Sequence, residues 1–314
     1  MFGLKIDQKS DRDLGFGSVV ASRSAERLLN RDGTFNSKRA GLGPLASLHL
    51  YDALLTMRWS HFLVVVVLAF FATNAGFAVL YAALGGEALA GGSFSSSFVR
   101  AFFFSVHTLS TVGFGNIVPA SLSANVLMTL ESLVGLLEVA ITTGLVFARF
   151  SRPTAKILFS HSAVVAPYRD GHGLMFRIAN QKSTQLIELE AKVIYSWMEN
   201  DGERWIRRFQ QLPLERDKVA FFPLSWTVVH PIDKKSPLHG LTDPACKKTD
   251  AEVLILLQGI DETFSQTVHA RSSYKADEIV WNARFTDIFL RSESNAIAGI
   301  DLGRLSEYER VFND

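Results

Sequence analysis

Between Thr111 and Gly115 the chain reads TVGFG, five residues whose backbone carbonyls, turned toward one axis, could replace the water around a dehydrated potassium ion. Gly113 and Gly115 alternate with Val112 and Phe114. Glycine reaches positive φ without steric cost, which such a turning of successive peptides requires. On this reading Thr111, Val112, Gly113 and Phe114 hold potassium. Thr111 adds its hydroxyl at the innermost site, and the side chains of Val112 and Phe114 go to packing. Potassium is a permeant ligand here, and no cofactor is expected.

Other chemistry is poorly supported. The eight histidines are scattered without metal-ligand spacing, and Gly15-Phe16-Gly17 lacks the third glycine of a dinucleotide motif. Ser105 and His107 lie two apart in an apolar stretch with no acid to orient an imidazole. An enzyme is therefore not expected, and neither is a nucleic-acid partner. The single Cys246 excludes an intrachain disulfide framework and fits a reducing compartment. No arginine-repeat span suggests a voltage sensor.

The elements that must position TVGFG follow from where charge is missing. From Ser60 no Asp, Glu, Lys or Arg occurs until Glu87, long enough as a helix to cross roughly 30 Å of hydrocarbon. A second uncharged stretch runs from Ala101 to Leu130. It predicts a short helix from about Ser96 to Leu109, the TVGFG loop, a break at Pro119 and a long helix to about Phe150. Irregular backbone at membrane depth is tolerated only where protein or a water-filled cavity satisfies it, as in a pore. The first apolar run begins near residue 60, behind a polar segment, which argues against a cleaved signal peptide. Arg58, Arg149, Arg152 and Lys156 flank the spans, whereas the Gly85 to Ser123 connection carries only Glu87 and Arg100, so both termini are expected in the cytoplasm.

Four regions result: a polar N-terminal segment (1–44) expected to be mostly loose or weakly extended, an interfacial helix (45–58), the membrane region (59–152) and a C-terminal domain (153–314). Leu45, Leu48, Leu50, Tyr51, Leu54, Leu55 and Trp59 give the interfacial helix its apolar spacing; the alternative is a simple polar lead-in. After Pro153, short apolar runs (Ala163 to Pro167, Leu174 to Ile178, Leu186 to Val193, Val219 to Phe222, Val253 to Leu257, Thr263 to Ala270) alternate with turn residues such as Asp170-Gly171 and Asp201-Gly202. That pattern predicts an all-β, immunoglobulin-like sandwich, large enough to bury its own core.

Beyond these patterns, RAFFFSVHTLSTVGFG (Arg100 to Gly115), GLVFARFSRP (Gly144 to Pro153), FSHSAVV (Phe159 to Val165), HPIDKKSPL (His230 to Leu238) and HARSSYKADEIVW (His269 to Trp281) resemble the inward-rectifier potassium channels, in particular their bacterial members. The resemblance covers about residues 45 to 312. It implies a homotetramer around one pore, an interfacial slide helix, a β-sandwich cytoplasmic vestibule and residence in the bacterial inner membrane. Phe114 departs from the filter consensus TVGYG by one ring hydroxyl. Asn116 stands where an aspartate is frequent. His107 and Ile117 occupy the positions of a glutamate and an arginine that pair in eukaryotic relatives, so a different brace must hold the filter.

The resemblance also implies site residues. Phe147 aligns with a bulky residue that closes the pore, and four such rings would gate by dewetting. The acidic position that attracts magnesium or polyamine blockers falls in register at Val139, one residue from Glu138; an ionisable group in mid-span is a functional-site candidate. Glu138 either reaches the cavity or bonds a neighbouring helix, and Glu131 is expected behind the pore helix as a hydrogen-bond acceptor. Arg58, Arg149, Arg152 and Lys156 form a basic collar for anionic phospholipid, although Thr154 and Ala155 replace two lysines of the eukaryotic motif. Glu188 and Gly259 belong to the cytoplasmic vestibule, Gly259 on a loop below the membrane. The rival readings are a weakly selective cation channel and a membrane-anchored β-sandwich binding protein.

Overall fold

The computed structural model describes residues 27–36, 50–151, 155–182, 184–200, 202, 205–291 and 297–311. It divides into two compact units, Ala40–Arg152 and a second built from Met1–Arg39 with Pro153–Asp314. Expectations placed on residues 1–26 and 37–49, and on Arg152, lie outside the described residues.

The first unit begins with a short helix α1 (Leu50–Thr56) and, after Met57 and Arg58, the helix α2 (Trp59–Ala83). At 25 residues, α2 extends about 38 Å. Leu63, Val64, Leu68, Phe71 and Leu80 are exposed along it, a surface that only lipid or another copy can cover. A small ladder pairs β1 (Leu89–Gly91) with β2 (Ile117–Pro119). Gly91 permits it: φ is +83°, and a Cβ would sit 2.3 Å from the Asn116 carbonyl oxygen. Between these strands lies α3 (Ser97–Leu109). The hydroxyl of Ser121 accepts the Ala124 amide at 3.1 Å and so caps the 29-residue α4 (Leu122–Phe150). Ala78 and Tyr81 of α2, Ala101 and Phe104 of α3 and Ala124 of α4 share one core. Gly135 brings α4 against the end of α3, since a Cβ there would lie 3.0 Å from the Leu109 carbonyl oxygen.

The second unit is a β-sandwich. Along the chain run β3 (Ile157–Phe159), β4 (Ala163–Tyr168), β5 (Gly171–Asn180), β6 (Leu186–Asn200), β7 (Trp205–Leu212), β8 (Lys218–Phe222), β9 (Ser225–Ile232), a short α5 (Asp243–Lys248), β10 (Glu252–Asp261), β11 (Gln266–Lys275) and β12 (Ile279–Trp281). One sheet has the order β11-β10-β6-β7, with β8 on the near end of β6; the other is β12-β4-β5-β3, with β9 also on β5. Strand alternation turns Val165, Leu174, Phe176 and Ile178 of one sheet toward Leu189, Val193, Val253, Ile255 and Leu257 of the other. His230 is buried in β9, its Nδ1 at 2.6 Å from the Pro213 carbonyl and its Nε2 at 2.8 Å from the Ser236 hydroxyl. A carbonyl only accepts, so Nδ1 carries the hydrogen and Nε2 accepts from Ser236.

Three expectations need correction. Residues 27–36 are not loose: Leu29 and Phe35 form a bridge, and Leu28 and Leu29 pack on Phe209 and Leu254. Leu254 points opposite to Val253 and Ile255, so this segment covers an apolar spot on the outer face of the sheet. The buried Glu252 carboxylate accepts the Leu28 and Leu29 amides at 3.0 and 3.3 Å, while Arg27 makes a two-pronged pair with Glu278 at 2.9 and 3.1 Å. The strand expected from Thr263 instead starts at Gln266. The Asp261 carboxylate accepts the Thr263 and Phe264 amides, and Ser265 takes φ 51°, making a turn. Gly259, expected on a loop, lies inside β10, where the register against β6 shifts so that Glu188 and Leu189 face one residue.

Candidate functional site

The TVGFG segment leaves the C-terminal end of α3. Thr111, Gly113 and Gly115 have φ of 58°, 57° and 76°, while Val112 and Phe114 are absent from the positive-φ residues. Chain handedness therefore alternates residue by residue, an arrangement that lines up amides on one side and carbonyls on the other. Two of the amides turn back to α3: those of Val112 and Gly113 both donate to the His107 carbonyl, at 3.0 and 3.3 Å. Positive φ in the β-branched Thr111 is strained backbone, of the kind found at functional sites.

His107 does more than accept these amides. Its ring meets the Phe114 ring edge to face at 5.0 Å, a geometry that favours aromatic pairs. His107 stands at one position of the missing ion pair, and its ring contact runs to Phe114. Phe114 is nonetheless 73% exposed and Val112 50% exposed.

Behind α3 a polar chain joins three helices. The Asn74 amide nitrogen donates to the Phe70 carbonyl at 2.7 Å, and its carbonyl oxygen faces the Ser105 hydroxyl at 3.0 Å. Ser105 in turn contacts one oxygen of Glu131, and the other receives the Tyr81 hydroxyl at 2.7 Å. All four side chains are buried. Sequence singled out Glu131 for this place, while Ser105 was weighed only as a poor nucleophile beside His107 and Asn74 was visible only as a polar residue in an otherwise apolar span.

Further along α4, Glu138 is half-buried with one carboxylate oxygen unpartnered, whereas Val139 is 60% and Phe147 71% exposed. A straight helix turns about 100° per residue, which sets Glu138 on the same face as Glu131 and about 180° from Phe147. Glu138 and Phe147 therefore cannot line one axis together.

The basic residues separate in character. The Arg149 guanidinium donates to the Leu54 and Met57 carbonyls at the end of α1 and lies 4.6 Å from the ring centres of Trp59 and Phe62. That head group is thus engaged by protein. Arg58 is exposed in the first unit and Lys156 in the second. In the β domain, Glu188 is exposed in a left-handed backbone, φ 54°, and pairs with Lys218 at 2.7 Å, which raises the ammonium above its usual range.

A family model described as the inward rectifier potassium channel C-terminal domain matches residues 157–312, and one described as an ion channel matches residues 61–152. Over 294 residues the chain is 40% identical to the inward rectifier potassium channel Kirbac3.1 of Paramagnetospirillum magnetotacticum, covering 93% of this chain and 98% of that protein. This chain belongs to the inward-rectifier potassium channel family. Human inward rectifier potassium channel 18 is 28% identical, covering 89% of this chain and 71% of its own length. The bovine ATP-sensitive inward rectifier potassium channel 12 is 29% identical, with 89% and 72% covered. Membership accounts for the architecture of an integral membrane protein with two apolar spans, Trp59–Ala83 and Leu122–Phe150, and a C-terminal β domain. It also places the chain among channels rather than enzymes.

Proposed function

We propose that four copies of this chain form a potassium-selective pore of inward-rectifier type, with the carbonyls of Thr111, Val112, Gly113 and Phe114 replacing water around the ion. The observation that carries this reading is the alternation of φ sign along TVGFG, with two amides turned back onto His107. Four such strands would surround each ion. The exposed Phe147, facing the axis in each copy, would form the apolar gate. Glu138 shares the Glu131 face, which supports a bond to a neighbouring helix over a cavity role; the blocker-facing position is then Val139, and attraction of magnesium or polyamines is weak.

Arg58 in the first unit and Lys156 in the second are each exposed candidates for anionic phospholipid, Arg152 is a candidate by its sequence alone, and Glu188 and Gly259 would line the vestibule. Residues 27–36 pack on β7 and β10, and two spans separate them in sequence. That arrangement supports both termini on one side of the membrane, the cytoplasmic side by the charge bias, in a bacterial inner membrane.

Uptake of potassium against sodium by liposomes containing the purified chain tests the reading. Potassium preference with block by barium is expected. Equal uptake of both ions would show a weakly selective cation channel. No uptake at all would leave only a membrane-anchored binding protein.

A further inference from the structure

Counting hydrogens in the polar chain behind α3 assigns a state to Glu131. Three oxygen-to-oxygen contacts run in series: Tyr81 hydroxyl to Glu131, Glu131 to Ser105 hydroxyl, and Ser105 hydroxyl to the Asn74 carbonyl oxygen. Each needs one hydrogen between its two oxygens. Tyr81 supplies one and Ser105 supplies one. The orientation of Asn74 is fixed, because its amide nitrogen donates to the Phe70 carbonyl; turning it over would press two carbonyl oxygens together at 2.7 Å. Asn74 therefore offers Ser105 an acceptor, and Ser105 points its single hydrogen there. The contact between Glu131 and Ser105 still lacks one.

We infer that Glu131 supplies it, as a neutral carboxylic acid that donates to Ser105 and accepts from Tyr81, and that this chain is the positioning device for the segment after α3. Glu131 is fully buried and its oxygens meet only hydroxyls. A carboxylate in that place would be a buried charge without a cation, whereas a neutral acid satisfies every member of the chain. The three helices α2, α3 and α4 contribute Asn74 with Tyr81, Ser105 and Glu131 respectively. The chain thus ties α3, two residues before His107, to both spans. Glu131 was expected as an acceptor, which it is toward Tyr81; the inference adds a donor role toward Ser105.

Glutamine reproduces that pattern, its amide nitrogen donating to Ser105 and its oxygen accepting from Tyr81. Leucine does not. Infrared spectra of the full-length protein in lipid are expected to contain a protonated-carboxyl carbonyl band at neutral pH that is absent from Glu131→Gln and shifted in Ser105→Ala. Potassium flux and potassium-over-sodium preference in Glu131→Gln should stay within about twofold of the parent, since no hydrogen bond is lost. Glu131→Leu is expected to lose the preference. The positioning role rests on the proposed filter, and the arms separate the two failures. Absence of the band in the parent protein, or its persistence unchanged in both Glu131→Gln and Ser105→Ala, overturns the neutral acid whatever the flux. A band behaving as stated with normal preference in Glu131→Leu would overturn only the positioning role. Should Glu131→Gln fail to assemble, the band and its shift in Ser105→Ala still decide the assignment.

Discussion

The single residue on which the proposed conduction path depends most is Gly113. A Cβ built there meets no atom within 4 Å, so an alanine would fit the space. Its cost is conformational, roughly 1 to 2 kcal/mol for a left-handed L-residue, and it recurs in every copy. Gly113→Ala is therefore expected to abolish selective potassium uptake while the β domain remains folded; unaltered selectivity would show that φ sign does not set the carbonyl array. TVGFG was readable from sequence because alternating glycines announce a backbone requirement at their own positions. The His107 brace was not. Sequence showed a histidine in place of an acid, but an edge-to-face contact with Phe114 depends on how α3 ends and how the next strand folds back.

At the scale of elements, α4 carries the gate argument. Phe147 lies on the opposite face from Glu131 and Glu138, and its ring is largely uncovered in one chain. If four rings close the path by excluding water, Phe147→Ala should raise potassium flux on the order of tenfold, equivalent to about 1.4 kcal/mol of wetting cost. Unchanged flux would move the constriction elsewhere, with the β6–β10 bulge at Gly259 the next element to test. Helix boundaries were legible here because charge-free length and Pro119 mark them. The facing of Glu138 was not, since an error of one residue in register rotates a side chain by about 100°. Most strands were legible from their period of two. The start of β11 was missed because Thr263 and Phe264 look apolar enough for a strand, while the Asp261 carboxylate holds their amides in a turn.

On the scale of the whole molecule, stability of the sandwich should depend on acidity through His230. Burial holds its imidazole below the ordinary range, although the Pro213 carbonyl partly offsets this. An unfolded chain binds a proton near pH 6.5 while the folded one does not, so the unfolded state takes up more protons and folding weakens as pH falls below that value. Melting of the full-length protein, followed by tryptophan fluorescence, is expected to drop between about pH 7 and about pH 5.5, and His230→Asn should flatten that slope. An identical slope in the variant would assign the acid sensitivity to other groups.

The ordering of residues 27–36 escaped sequence reading for a reason of the same scale. Its partners Phe209, Glu252, Leu254 and Glu278 lie more than a hundred residues away, and nothing local marks the segment as structured. The consequence is one of timing. Chains are made from the amino end, and domains ordinarily close as they emerge. Here residues 27–36 leave the ribosome before both membrane spans, and Glu278 appears only after them. The sandwich can close over Leu254 only after the hydrophobic helices have been handed to the bilayer. Insertion thus precedes completion of the soluble body, and a nascent chain halted before residue 252 would offer Leu28 and Leu29 the Phe209 ring without Leu254.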